Sequence, residues 1–241
     1  MNKLILCEGK TDAILLSYYL EKTCGWKHWH APKGLDIRAE ETNGESAYWY
    51  KRESECLLIC GVGGKDNFGG FFREKIQSAI VDAGAFAKMA VVTDHDDRPE
   101  KSIISSLQAS LRPIFSQIEN GKWKPNSYEN SYKQESSIDF LLVIIPSDKE
   151  GALESVLLDA ISEKAEDKTI VNRSISFVDE MQPLAYKYLV KKRLKLKACL
   201  GVTWAIQYPE KIFSFINEQI RSVKWEESQV LAKCFEQLKN I

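Results

Sequence analysis

Four short apolar runs, each leading through a turn into residues at helical spacing, restrict this chain more than any other feature. They are "KLILC" (3–7), "ECLLIC" (55–60), "AKMAVVTD" (87–94) and "IDFLLVIIP" (138–146). Each is nearly unbroken in apolar character rather than alternating, which is the pattern of a strand covered on both faces. After the first run, Ile14, Leu15, Tyr18 and Tyr19 mark one helical stripe, with Thr11 as its cap. A second helix is predicted from about Phe71 to Val81. A third covers roughly 101–118, where Ile103, Ile104, Leu107, Leu111 and Ile114 recur and Pro113 kinks the end. Repeated strand–helix–strand units predict an α/β fold with an open, mainly parallel sheet flanked by helices.

Two segments break the alternation. Residues 25–54 are too irregular for a crossover helix and read as an insertion ending in a short hairpin. From Gly151 onward the pattern is helical, over 152–164, 169–181, 184–199, 209–222 and 226–239. The expected organisation is therefore an α/β domain over 1–150, interrupted at 25–54, with a helical extension over 151–241 packed on it. A chain of 241 residues that is 44% hydrophobic can bury a core of that size.

Charge narrows the range of partners. Lys and Arg number 33 against 34 Asp and Glu, so a polyanion would have to be met by a local patch. The stretch "YKYLVKKRLKLKACL" holds the one dense basic cluster: Lys187, Lys191, Lys192, Arg193, Lys195 and Lys197. A solvated helix face is the plain reading of such a run; contact with a nucleic-acid backbone is the functional one. The six cysteines include no C-x-x-C pair, and Cys56 and Cys60 would lie roughly 13 Å apart along a strand, too far to bridge. Reduced thiols, no signal segment and no apolar run of roughly 18–20 residues together predict a cytoplasmic protein with no membrane contact.

Acids stand where buried strands should simply turn. Glu8 follows the first run, and Asp94 and Asp96 close the third. Ligands of open α/β sheets bind beyond the carboxyl ends of the strands. If the segment stays extended, Asp94 and Asp96 project to one side, and their repulsion calls for a cation. Asp96 or Asp97 could instead cap the next helix. Asp12 could serve the helix dipole of the first. Glu8 has no such structural use, and three carboxylates suit Mg²⁺ or Mn²⁺.

An N-terminal strand ending in "EGKTD", a glycine-rich second turn "GVGGKDNFGG" and a strand ending in "DHD" resemble the Toprim domain. That domain is shared by topoisomerases, bacterial primases, ribosomal RNA maturation nucleases and nucleases similar to the overcoming-lysogenization-defect family. The resemblance covers about residues 3–160. It implies that Glu8, Asp94 and Asp96 bind the main metal, and that Asp12 and Glu154 support a second one, with Glu150 as a substitute for Glu154. It also implies a catalytic lysine late in the domain, for which Lys195 and Lys197 are the candidates. Lys65, Lys191, Lys192 and Arg193 would then meet phosphates.

With no topoisomerase body and no primase zinc module, the resemblance points to a small nuclease cutting DNA or RNA with one or two ions. A protein partner in a prokaryotic anti-phage module belongs to the same expectation. The alternative is a non-catalytic module that holds a metal–phosphate, a nucleotide or nucleic acid. "GVGGKD" lacks the Ser or Thr of a nucleotide P-loop. His28 and His30 have no third ligand nearby. Trp26, Trp29, Tyr48, Trp49 and Tyr50 make the insertion either a stacking surface for single strands or simply a flap.

Overall fold

A computed structural model describes residues 2–211 and 216–241. Seven strands form one sheet in the order β2-β3-β4-β1-β5-β7-β6. They are β1 (Asn2–Cys7), β2 (Lys27–Trp29), β3 (Glu45–Arg52), β4 (Glu55–Val62), β5 (Phe86–Asp94), β6 (Lys124–Glu129) and β7 (Glu135–Ile145). The four apolar runs are β1, β4, β5 and β7, and they lie side by side as β4-β1-β5-β7. β1 runs parallel to β4 from Lys3↔Leu57 to Cys7↔Gly61, and parallel to β5 through Cys7↔Val92. The open α/β architecture is as expected.

Two compact units divide the chain. The first comprises residues 1–93, 98–144 and 235–241, and the second 94–97 and 145–234. The division after 144 precedes the expected one at 150, and the last seven residues belong with the sheet.

In the first unit, Leu4, Ile5, Leu6 and Cys7 are fully buried, as are Leu57 to Cys60 and Met89 to Val91. Their continuous apolar character thus reflects cover on both faces. Helix α1 (Lys10–Cys24) buries Leu15, Leu16, Tyr19 and Leu20. Tyr19 meets Phe235 edge to face, with ring centroids 5.3 Å apart. The returning segment is also tied by the Lys3 ammonium, which donates to the main-chain oxygen of Ile241 at 2.9 Å and pairs with Glu55 at 2.8 Å.

The insertion supplies sheet rather than flap. β3 pairs antiparallel with β4, from Glu45↔Val62 to Arg52↔Glu55, and β2 pairs with β3. Trp26, Trp49 and Tyr50 are buried there, Tyr48 is half-buried and Trp29 is exposed, so few rings of this region are open for stacking. The polar loop before the fourth run contains β6, which is antiparallel to β7. The helical stretch after β4 begins earlier than expected, as α2 (Phe68–Phe71), a π-helical turn (Phe72–Ile76) and α3 (Gln77–Val81). α4 (Glu100–Ser110) stops short of Pro113, and Pro99 rather than an aspartate occupies its N-cap.

The second unit holds α5 (Leu153–Ile161), α6 (Ala165–Met181), α7 (Lys192–Gln207), α8 (Ile216–Arg221) and α9 (Gln229–Cys234). α5 packs against α6, α7 and α9. The helix expected over 184–199 begins eight residues late, because 184–191 forms a succession of turns. The one expected over 209–222 is a 3-10 turn at Pro209–Lys211 followed by α8; its residues 212–215 lie outside the described set. Among the described residues, no helix is long and apolar enough to cross a membrane.

Gly61 fixes the spacing between the β4 end and the β1–α1 turn. A Cβ there would stand 2.7 Å from the Gly9 carbonyl carbon and oxygen and 2.8 Å from Ser46 Oγ. Gly61→Ala must therefore displace backbone, and we expect it to lower unfolding free energy by about 1–3 kcal/mol in urea titration. A loss below about 0.5 kcal/mol would show that the approach is not tight.

Candidate functional site

The candidate residues fall in both units, and each set is built up within its own. In the first unit, Glu8 follows β1 and is 1% exposed. Its carboxylate Oε1 accepts a 2.8 Å hydrogen bond from Thr93 Oγ1 on β5, and its main-chain oxygen accepts one from Gly64 N–H at 2.7 Å. The glycine-rich turn after β4 is thus anchored on the turn after β1. Gly63 makes this path possible: at φ +79°, its Cβ would lie 2.3 Å from the Asn43 oxygen. Lys65 starts the 3-10 turn Lys65–Asn67 that leads into α2.

Helix α1 is capped differently from expectation. Gly9, not Thr11, is the N-cap, and Asp12 Oδ2 accepts from the Gly9 N–H at 3.1 Å. Asp12 is buried, and this is the reaching-back half of a capping box. The structural use of Asp12 is therefore realised.

In the second unit, Asp94 is also 1% exposed. Its Oδ1 accepts the Leu153 N–H at the start of α5 at 2.9 Å, which satisfies an otherwise orphaned donor of a helix N-terminus. Its Oδ2 lies 3.5 Å from the Arg193 guanidinium of α7. Asp96 does not continue the strand. It has φ +52° and exchanges main-chain hydrogen bonds with Gly151, at 2.6 and 3.0 Å. The expectation that Asp94 and Asp96 project together assumed an extended segment, and the left-handed turn at Asp96 removes that assumption.

Glu154 occupies the first turn of α5 and is buried. Its Oε1 pairs with Lys197 Nζ at 2.8 Å, while the buried Oε2 has no hydrogen-bond partner among the described residues. Glu150 is exposed and pairs with Lys192 at 3.0 Å. Arg193 and Lys197, four apart, share one face of α7. That face carries positive charge onto the acids at the start of α5. Lys195 instead pairs with Asp179 of α6 at 2.6 Å, so of the two lysine candidates Lys197 is the one beside a candidate ligand. Lys191 is the exposed N-cap of α7.

The donor set is all carboxylate oxygen, which fits a hard divalent cation in chemistry. Among the described residues, however, no three His, Cys, Asp or Glu side chains form a group able to hold a metal ion. Arg193 and Lys197 supply the positive charge beside Asp94 and Glu154 in this arrangement. Sequence reasoning missed this pairing, although the i, i+4 spacing of Arg193 and Lys197 was its one legible sign.

The fold and these groups define an open α/β-sheet protein with buried acids beyond its parallel strands. Residues 2–240 match the model of the family described as protein of unknown function (DUF3226), and the chain belongs to that family. Among solved structures it is similar to the crystal structure of hypothetical protein PH0156 from Pyrococcus horikoshii OT3. That similarity has 17% identity and a TM-score of 0.47, and covers 98% of this chain and 99% of the other. A search of curated proteins finds no match.

The Lys197–Glu154 pair should be energetically coupled. Removing Lys197 leaves both oxygens of a buried carboxylate unsatisfied, and we expect Lys197→Ala to cost about 1–3 kcal/mol in urea unfolding. Glu154→Gln should cost less, and adding it to Lys197→Ala should recover part of the loss. Strict additivity of the two changes would show that no coupling exists.

Proposed function

We propose that this protein is a Toprim-type, divalent-metal-dependent nuclease that hydrolyses phosphodiester bonds of DNA or RNA. The observation that carries the reading is Asp94: a carboxylate buried at the end of a central β-strand, seated on the N-terminus of α5 and faced by Arg193. A buried acid in that position is costly, and binding chemistry beyond the strand ends is the usual reason for one in an open α/β sheet. The buried, unpartnered Oε2 of Glu154 adds a second carboxylate oxygen directed to use rather than to packing.

In this reading Glu8, Asp94 and Asp96 would hold Mg²⁺ or Mn²⁺, with Asp12 and Glu154 assisting, as the Toprim resemblance implies. Among the described residues these side chains are not grouped for a metal as they stand, and they would have to draw together on binding. The ion would supply charge neutralisation and Lewis acidity at the scissile phosphate. The chain's own cations have distinct parts. Arg193 and Lys197 bind phosphate oxygens and stabilise the negative charge that grows on them during hydrolysis. Asp94 and Glu154 orient these two side chains through the pairs already formed. Lys65 and Lys191 contact flanking phosphates. All six cysteines are free, which fits work in a reducing cytoplasm.

A second reading has its own observation. Because Arg193 and Lys197 already neutralise Asp94 and Glu154, the same residues fit a non-catalytic module that exchanges these internal pairs for a bound phosphate group. Incubation of purified protein with plasmid DNA and with RNA in Mg²⁺ or Mn²⁺ separates the two. The nuclease reading expects cutting that EDTA abolishes and that falls by about 10²–10³-fold in Glu8→Gln and Asp94→Asn. Metal-dependent binding of nucleic acid or nucleotide without cutting would select the second reading.

A further inference from the structure

The segment joining α6 to α7 has a character found nowhere else in the chain. From Met181 to Pro209 there is no acidic residue, while Lys187, Lys191, Lys192, Arg193, Lys195 and Lys197 are all basic. Within this stretch Tyr186 and Tyr188 are each 65% exposed, and Leu184 and Val190 are exposed around them. Lys187 Nζ stands 4.6 Å from the centroid of the Tyr188 ring. The backbone that carries the tyrosines is a succession of hydrogen-bonded turns. Leu184 and Ala185 N–H donate to Met181, Tyr188 N–H to Ala185, and Leu189 N–H to both Ala185 and Tyr186.

A purely apolar patch would suit another protein surface. Here the exposed rings alternate with lysines, and Lys191 has no ion pair among the described residues. Aromatic faces interleaved with uncompensated positive charge match bases and phosphates together. Duplex bases are already stacked on one another, whereas single-strand bases are free to stack on a side chain. We infer that residues 184–192 form a binding platform for single-stranded nucleic acid. Tyr186 and Tyr188 stack on bases, and Lys187 and Lys191 contact the adjoining phosphates. This rests on nucleic acid being the ligand class and narrows it to single strands.

The test is fluorescence anisotropy of the full chain in EDTA with labelled oligo-dT, oligo-U and a duplex of equal length. Wild type should prefer the single strands. Tyr186→Ala and Tyr188→Ala should each weaken that binding by about fivefold or more, with Phe at either position restoring it. Lys191→Ala should make the salt dependence shallower by about 0.7 in log–log slope. All three positions are exposed, and thermal melting will verify that each variant is folded.

Unchanged single-strand affinity in the tyrosine variants would overturn the inference, as would equal affinity for duplex. So would sedimentation showing that the alanine variants dissociate a dimer while nucleic-acid binding is unaffected; the patch would then join two copies of the chain. If plasmid cutting persists while the tyrosine variants bind like wild type, the platform alone fails. If wild type binds no nucleic acid of any kind, the nuclease reading fails with it.

Discussion

Glu8 is gripped from both neighbouring strands. Thr93 of β5 holds its carboxylate, and Gly64, beyond the end of β4, holds its main-chain oxygen. These two bonds join the ends of β4, β1 and β5 at one edge of the sheet. They depend on the parallel register between the strands, and on the absence of a side chain at Gly61, where β4 comes within contact distance of Gly9. A larger residue at position 61 would push the turn away and remove the donor that fixes the Glu8 backbone. The buried acid is thus positioned by main-chain geometry, which tolerates little substitution, rather than by adjustable side chains alone.

Electrostatics in the helical unit follow a different scheme. Asp94, Glu150 and Glu154 face Arg193, Lys192 and Lys197 in turn, all from the first two turns of α7. Asp94 also receives a backbone N–H from the start of α5, so its charge is supported by both a helix terminus and a guanidinium. Asp94 and Glu154 are buried, whereas Glu150 and the three cations are partly open to solvent, so the set is asymmetric. On either proposed reading the cations, carried on long side chains, would be the groups that turn to a phosphate, while the buried Asp94 and Glu154 stay in place. That asymmetry is what both functional readings exploit.

Much of the sheet was legible because β1, β4, β5 and β7 are buried on both faces, and burial leaves an unbroken apolar signature. The outer strands were less so, because the edge strands β2 and β6 and the neighbouring β3 mix aromatic and polar residues and depend on pairing for their conformation. Glu8 and Asp94 stood out as acids at the ends of buried strands, Glu154 came in through the Toprim resemblance, and all three are buried. Asp96 misled, since an alternation rule holds only while the backbone stays extended, and Asp tolerates the left-handed turn found there. Thr11 misled as well. The helix starts one residue after a glycine, and Asp12 satisfies the terminus from inside. Ion pairs such as Arg193 with Asp94 join residues 99 positions apart in sequence, and no local pattern announces them.

If the ligand is nucleic acid, as proposed, the same accounting would let a nearly neutral chain address a polyanion. Of the six basic residues between 187 and 197, Lys192, Arg193, Lys195 and Lys197 each meet an acid. Lys187 lies over a tyrosine ring instead, and Lys191 stands exposed at the start of α7. Paired cations contribute little long-range field, so on that proposal an approaching strand would first meet this pair beside Tyr186 and Tyr188. Paired charges respond only at close range, when a phosphate competes directly with a carboxylate. The proposed capture at the connecting segment and the proposed chemistry at Asp94 and Glu154 would then be separable tasks on neighbouring stretches of one helical unit. The acid-free run from Met181 to Pro209 keeps the first of them from being cancelled along its own chain.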